Sequence, residues 1–210
     1  MHDQIKVTAV IGSYRKGGII DSAVDALLAG AREEGAETAK IYLIDTRIEF
    51  CTNCRNCMQE EGSRRGSCPA TDEMDSILDE LERSDAIVLA SPTNFGTVTA
   101  VMKRFIERLA CYAYWPWGMN SPHMRIKQKE KPAVVVASSA APAFVARIAT
   151  QVVGLLKKAA DAMGRRTIGV LFVGLAAQQP QQVLGGRTVE KARRLGRMLA
   201  VAGREARRHA

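Results

Sequence analysis

Two groups of residues in this chain have the types and spacing to do chemistry. The first is a set of cysteines: Cys51, Cys54 and Cys57 follow a CxxCxxC pattern, and Cys68 comes after a ten-residue gap with Pro69 directly behind it. Four thiolates from one segment can close a tetrahedral set around a [4Fe-4S] cluster or a zinc ion. They can also stay as plain thiols or form a labile disulfide. The first three spacings and Pro69 match ferredoxin runs, whereas the gap before Cys68, which carries Arg64, Arg65 and two glycines, is longer. The fifth cysteine, Cys111, stands apart and reads as a small hydrophobe on its helix. His2, His123 and His209 lie far from the array in sequence and read as exposed residues rather than ligands.

The second group is a pair of turns. Gly12-Ser13-Tyr14-Arg15-Lys16-Gly17-Gly18 separates the apolar run Ile5–Ile11 from a stretch with Val24, Leu27, Leu28 and Ala31 on one face. Strand, glycine turn and helix in that order offer unpaired N–H groups and the positive end of a helix dipole, which suit a phosphate. Ser13 adds a hydroxyl and Arg15 a charge. The turn is neither GxGxxG nor a P-loop, so a single terminal phosphate fits better than a pyrophosphate. An ordinary βα turn would use the same glycines.

Ser91-Pro92-Thr93-Asn94-Phe95-Gly96 forms the other turn, after Ala86–Ala90 and before a helix with Val98, Val101, Met102, Phe105, Ile106 and Leu109 on its inner stripe. This spacing leaves Lys103, Arg104, Glu107 and Arg108 in water. In open α/β sheets ligands sit outside the carboxyl ends of the strands, so this turn, with Gly96 allowing close approach, suits a flat or anionic ligand.

The elements that must position these groups alternate along the chain. Strands are predicted over Ile5–Ile11, Ala39–Ile44, Ala86–Ala90, Ala133–Ala137 and Thr167–Val173. Their unbroken apolar runs imply both faces covered, and parallel neighbours need crossovers, so the fold class is α/β with a doubly wound parallel sheet of five strands and helices on both faces. Asp72 is expected to cap a short helix that turns Met74, Ile77, Leu78 and Leu81 inward. One helix is expected to carry Val145, Ile148, Val152, Leu155, Leu156 and Met163, and a basic helix closes the chain. The 210 residues suit one domain over 1–210, with a cysteine-rich insertion loop at about 45–70.

Composition narrows the function classes. No apolar run reaches about 18 residues and the N-terminus is not a signal peptide, which predicts no membrane partner and a cytoplasmic address. Of the net charge of +8, most sits between Arg187 and Ala210. That run reads as the solvated face of a helix whose other side carries Val189, Ala192, Leu195 and Leu199. Only 5 % of residues are aromatic and none interleave with the basic run, so no nucleic-acid partner is expected. Tyr112-Ala113-Tyr114-Trp115-Pro116-Trp117-Gly118 holds both tryptophans and reads as a ligand wall, a subunit contact or local packing.

With these residues in view, the chain resembles the flavodoxin-like NAD(P)H-dependent FMN reductases, close to the branch of iron-sulfur flavoproteins. The resemblance covers Ile5 to Leu109 well and the rest by layout. It rests on Gly12-Ser13-Tyr14-Arg15, on the cysteine array, and on Ser91 to Gly96 with Lys103, Phe105 and Ile106. It implies strand order 2-1-3-4-5. It also implies that Ser13, Arg15, Gly17, Gly18, Ile19 and Ile20 hold the FMN phosphate, that Pro92, Thr93, Asn94, Phe95 and Gly96 wrap the isoalloxazine, and that Ser138, Ser139 and Ala140 flank its other edge. One departure stands out: the family commonly places Asn-Thr or a serine where this chain has Ile19-Ile20, so the phosphate must rely on backbone N–H groups, Ser13, Arg15 and Ser22. Phe95 stands where many members have Tyr.

The implied activity is oxidoreduction with FMN as cofactor and NAD(P)H as substrate. The electrons go to a quinone, nitro compound, metal ion or protein acceptor. The flavin carries the chemistry, so no catalytic side chain is named. The alternative is an electron carrier between a [4Fe-4S] cluster on Cys51, Cys54, Cys57 and Cys68 and FMN. A homodimer or homotetramer is expected. A flavin-free, zinc-stabilised interaction module would leave both turns unexplained.

Overall fold

The computed structural model describes residues 4–62 and 64–209; His2 lies outside them, and so does the side chain of His209. Five strands form one parallel sheet: β1 (Lys6–Ile11), β2 (Glu37–Tyr42), β3 (Ala86–Pro92), β6 (Lys131–Ser138) and β7 (Arg165–Val173), in the order β2-β1-β3-β6-β7. This is the flavodoxin-like doubly wound order that the sequence reading expects. Alternate residues of each inner strand serve opposite cores, which is why the strands read as unbroken apolar runs. Val7, Ala9, Val88, Val134 and Leu171 pack on α1 (Ile19–Glu33) and α6 (Gly186–His209). Val10, Leu89, Val135 and Phe172 pack on α2 (Met74–Arg83), α3 (Ala100–Arg108) and α5 (Val152–Ala162).

Several boundaries move, each for a tertiary reason. β2 starts at Glu37, two residues before the expected start, because it pairs in register with β1 from Lys6↔Glu37 to Ile11↔Tyr42. As an edge strand it keeps most residues half-buried. β3 runs on through Pro92, whose partner is Ser138. The single helix expected after β6 is two, α4 (Ala143–Ala149) and α5, because Thr150 is extended and the Gln151 N–H bonds the Gly96 carbonyl (2.7 Å). Val145 and Ile148, expected on the buried stripe, are exposed on α4, Ile148 at 89 %. A short antiparallel pair, β4 (Ala113–Tyr114) with β5 (His123–Met124), gives order to the aromatic segment.

The closing helix buries Ala192, Leu195 and Leu199 as its periodicity predicts. Part of its basic face is tied to α1, where Glu33 takes Arg193 at 3.2 Å and Arg197 at 2.7 Å. Among the described residues no helix is long and apolar enough to cross a membrane.

Candidate functional site

A cavity of about 970 Å³ opens at the carboxyl ends of the strands. It is lined by Ser13, Arg15, Gly17, Gly18, Ile19 and Ile20 from the first turn, by Pro92, Thr93 and Asn94 after β3, and by Ser138, Ser139 and Ala140 after β6. The structure therefore brings three turns, far apart in sequence, to one concavity. Backbone bonds lace them together: Thr93 N–H to the Ser138 carbonyl (2.7 Å), Ser139 N–H to that of Val173 (3.0 Å), and Ala176 N–H to that of Ser139 (2.9 Å). The Thr99 side chain caps α3 and also donates to the Gly12 carbonyl, joining the first turn to the second.

At the phosphate end, Gly18 is the N-cap of α1 and makes no side-chain cap bond, which leaves the N–H groups that open the helix without intrahelical or capping partners among the described residues. Ile19 and Ile20 point their side chains into the core. Their apolar character thus serves packing, and what they present to the cavity is backbone. Ser13 Oγ accepts the Arg15 N–H (3.1 Å), while Arg15 itself is exposed and makes no ion pair among the described residues. At the other end the Thr93 hydroxyl is buried with no hydrogen-bond partner among the described residues. An uncapped helix start and an orphaned hydroxyl on one cavity fit a ligand with a phosphate at one end and polar acceptors at the other.

Phe95 and Gly96 do not line this cavity. Asn94 and Thr97 pair across them in both directions, at 2.8 and 3.0 Å. Both central residues have positive φ, +46° and +76°, the geometry of a tight hairpin turn. Phe95 stands at its tip, 108 % exposed.

Sequence reasoning missed the segment after β7, where Ala176, Ala177, Gln179 to Leu184, and Val189 of α6 form the wall facing the first turn. Gly174 and the glutamine-rich run behind the last strand were the available signal, since ligands gather outside the strands' carboxyl ends.

The cysteine segment forms a second, separate structure, and none of its four cysteines lines the cavity. Its two ends are tied where the Glu73 N–H meets the Arg47 carbonyl (3.0 Å) and the Glu49 N–H meets Asp72 (2.7 Å). Asp72 also accepts the Met74 N–H (3.0 Å), but the N-cap position of α2, expected at Asp72, falls on Glu73, because the helix starts one residue later. Arg108 and Arg104, by contrast, are not in water. Arg108 is 4 % exposed, paired with Asp72 and donating to the Glu49 carbonyl (2.9 Å) and to Cys68 Sγ (3.4 Å). Arg104 is half-buried with its guanidinium 5.6 Å from the Phe50 ring.

The tip of the segment docks on the aromatic run. Arg55, in the left-handed conformation, stacks on Trp115 at 3.8 Å and Trp117 at 4.3 Å. Arg125 donates to the carbonyls of Cys57 (3.2 Å) and Ala113 (3.2 Å). Gly66 donates to the Cys111 carbonyl, and a Cβ on it would meet the Cys57 carbonyl oxygen at 1.8 Å, so only glycine permits this approach. The aromatic run thus packs against the cysteine segment, while Trp117 keeps 67 % of its surface exposed.

All five cysteines are free thiols. Hydrogen bonds from the Asn56 N–H and Thr52 lower the pKa of exposed Cys54, burial raises that of Cys57, and burial pushes Cys111 up to about 12. The donor types of Cys51, Cys54, Cys57 and Cys68 suit a cluster, but among the described residues no three Cys, His, Asp or Glu side chains converge in a metal-binding arrangement. As arranged, the segment does not present a closed ligand set.

A parallel sheet in this order, with a glycine turn at an uncapped helix and two further turns around one cavity, defines a flavodoxin-like flavoprotein. The chain belongs to the NADPH-dependent FMN reductase family, which matches residues 5–184. It is similar to an iron-sulfur flavoprotein of Archaeoglobus fulgidus, 36% identical over 112 residues, 53% of this chain and 49% of that protein. It is likewise similar to the iron-sulfur flavoprotein MJ1083 of Methanocaldococcus jannaschii, 36% identical over 104 residues, 50% of this chain and 51% of the other. The chain thus spans about half the length of the curated relatives it matches. Among solved structures a flavone reductase superposes with a TM-score of 0.67 at 20% identity, covering 96% of this chain and 64% of the other.

Proposed function

We propose that this chain is an FMN-dependent oxidoreductase that takes electrons from NAD(P)H and delivers them to a small-molecule or protein acceptor. The observation that carries the reading is one cavity at the strands' carboxyl ends, with an uncapped α1 at one end and, at the other, the Thr93 hydroxyl that has no partner among the described residues. FMN, when bound, supplies hydride acceptance from a nicotinamide and onward electron transfer.

The chain's own residues position and stabilise. Ser13, Arg15 and the N–H groups of Gly18, Ile19 and Ile20 receive the phosphate. Pro92, Thr93 and Asn94 border the ring on one side, and Ser138, Ser139 and Ala140 on the other. Phe95 and Gly96 shape the turn that carries Asn94. Fluorescence titration of the apo-protein with FMN tests the reading, followed by anaerobic addition of NADH or NADPH and spectroscopic monitoring of flavin bleaching. A chain that binds no FMN overturns it.

A second reading, an electron carrier between an iron-sulfur cluster and FMN, is favoured by the four cysteines on one segment and by the names of the relatives. Iron and sulfide analysis of anaerobically purified protein separates the two readings. The proposal extends to a cytoplasmic homodimer or homotetramer without nucleic-acid or membrane partners. The exposed Phe144, Val145 and Ile148 of α4 support self-association. Light scattering checks it.

A further inference from the structure

Asp21 stands in the first turn of α1, yet it is only 4 % exposed and carries three hydrogen bonds. It accepts the Gly17 N–H at 2.7 Å, Lys40 Nζ at 2.8 Å and the Tyr42 hydroxyl at 2.9 Å. Lys40 and Tyr42 both belong to β2, and Lys40 also reaches Asp25 at 2.7 Å. Burial would raise the carboxyl pKa, but the Gly17 N–H, Lys40 and Tyr42 outweigh it and hold the group below its usual range.

Gly17 has φ +72°, and a Cβ placed on it would meet nothing within 4 Å. Its left-handed turn is open on the Cβ side, and two bonds hold it: its N–H to Asp21 at 2.7 Å and the longer one from the Ser22 hydroxyl to its carbonyl at 3.5 Å. A carboxylate in the first turn of a helix also occupies the place where the dipole favours an anion. Lys40 offsets that charge and leaves the dipole available to a second anion. Lys16 is occupied by Asp45 at 2.6 Å, so Arg15 is the cation of the turn without an ion pair among the described residues.

We infer that Asp21 is a positioning residue for the phosphate turn: bound to Gly17 and anchored by Lys40 and Tyr42 of β2, it fixes the turn so that Ser13, Arg15 and the N–H groups starting α1 converge on one phosphate. The Gly17 N–H is thereby spent on the scaffold and is not a phosphate donor. The inference rests on the cavity being the FMN site.

Comparing FMN with riboflavin isolates the phosphate contribution. The wild-type apo-protein and the variants Asp21→Ala, Asp21→Asn, Lys40→Met and Tyr42→Phe are titrated with each flavin by fluorescence, and each apo-protein is melted thermally. Asp21→Ala is expected to weaken FMN by about tenfold, the scale of losing one charged hydrogen bond, with riboflavin affinity unchanged. Asp21→Asn keeps an oxygen for the Gly17 N–H and should fall between. Lys40→Met leaves the carboxylate uncompensated and should weaken FMN at least as much as Asp21→Ala. Equal losses for both flavins, or unchanged FMN affinity in Asp21→Asn and Tyr42→Phe variants that melt like wild type, overturn the inference. A wild-type chain that binds neither flavin removes the flavin reading itself, a result distinct from any ordering among the variants.

Discussion

Arg108 of α3 and Asp72, at the mouth of α2, form an ion pair in which both side chains are almost wholly removed from water, at 2% and 1% exposure. The carboxylate also accepts the N–H groups of Glu49 and Met74, and the guanidinium also holds the Glu49 carbonyl and Cys68 Sγ. One pair thereby ties both ends of the cysteine segment to a helix of the sheet's core. Replacing Arg108 with Met leaves a buried carboxylate uncompensated, and we expect a loss of about 3–5 kcal/mol. Denaturant unfolding monitored by circular dichroism measures it, and a change under about 1 kcal/mol would show that water reaches Asp72.

The same pair makes stability depend on acid. Burial favours the neutral Asp72 carboxyl, but Arg108 and the two N–H groups prevail and hold its folded pKa below the usual carboxylate range. A depressed folded pKa stabilises at pH above the unfolded value and loses that contribution as pH falls through the folded one. Denaturation midpoints measured from pH 7 down to pH 2 should therefore fall below about pH 3.8 in wild type. The Asp72→Asn variant should start lower and show a shallower acid limb.

Both tryptophans of the chain stack on Arg55, so intrinsic fluorescence reports on the tip of the cysteine segment. Arg55→Ala should change tryptophan emission and its quenching by iodide, with a stability loss of about 1 kcal/mol. Unchanged quenching would place the tryptophans' contacts elsewhere.

Thiol reactivity should be ordered by exposure and charge. Cys54, exposed and with its thiolate favoured by the Asn56 N–H, is expected to react first with a disulfide reagent at pH 7. Buried Cys111, pushed up to about 12, should react last and only on unfolding. Mass spectrometry after timed labelling gives the order.

Phe95 sits at φ +46°, a backbone conformation that costs a non-glycine residue about 1–2 kcal/mol. Phe95→Gly should recover part of that in thermal stability and leave FMN affinity unchanged, because the ring stands clear of the cavity. A fall in FMN affinity would mean that the turn closes over the flavin.

The local pattern of the chain determined the parallel sheet, the glycine turn at α1 and the turn after β3, because buried parallel strands, amphipathic helices and glycine turns are each written in neighbouring residues. The five strands and the first two cavity turns were legible on those grounds, whereas the turn at Ser138 to Ala140 was assigned to the site only by the family resemblance. Their joining was not. That the Gln151 N–H would bond Gly96 and split a helix depends on residues far apart in the chain, as does the closing of the cavity by residues 176–184. Arg108 shows the same division: helical spacing assigns it to the solvent side, since periodicity knows only one inner stripe. The tertiary structure lays the cysteine segment over that side, where Asp72 supplies a charge that makes burial tolerable. Asp21 carries no signal of its own in the local sequence, and its role depends on β2 bringing Lys40 and Tyr42 beside it. Sequence periodicity records what one element does against its own core, whereas the pairing of buried charges requires two elements to meet.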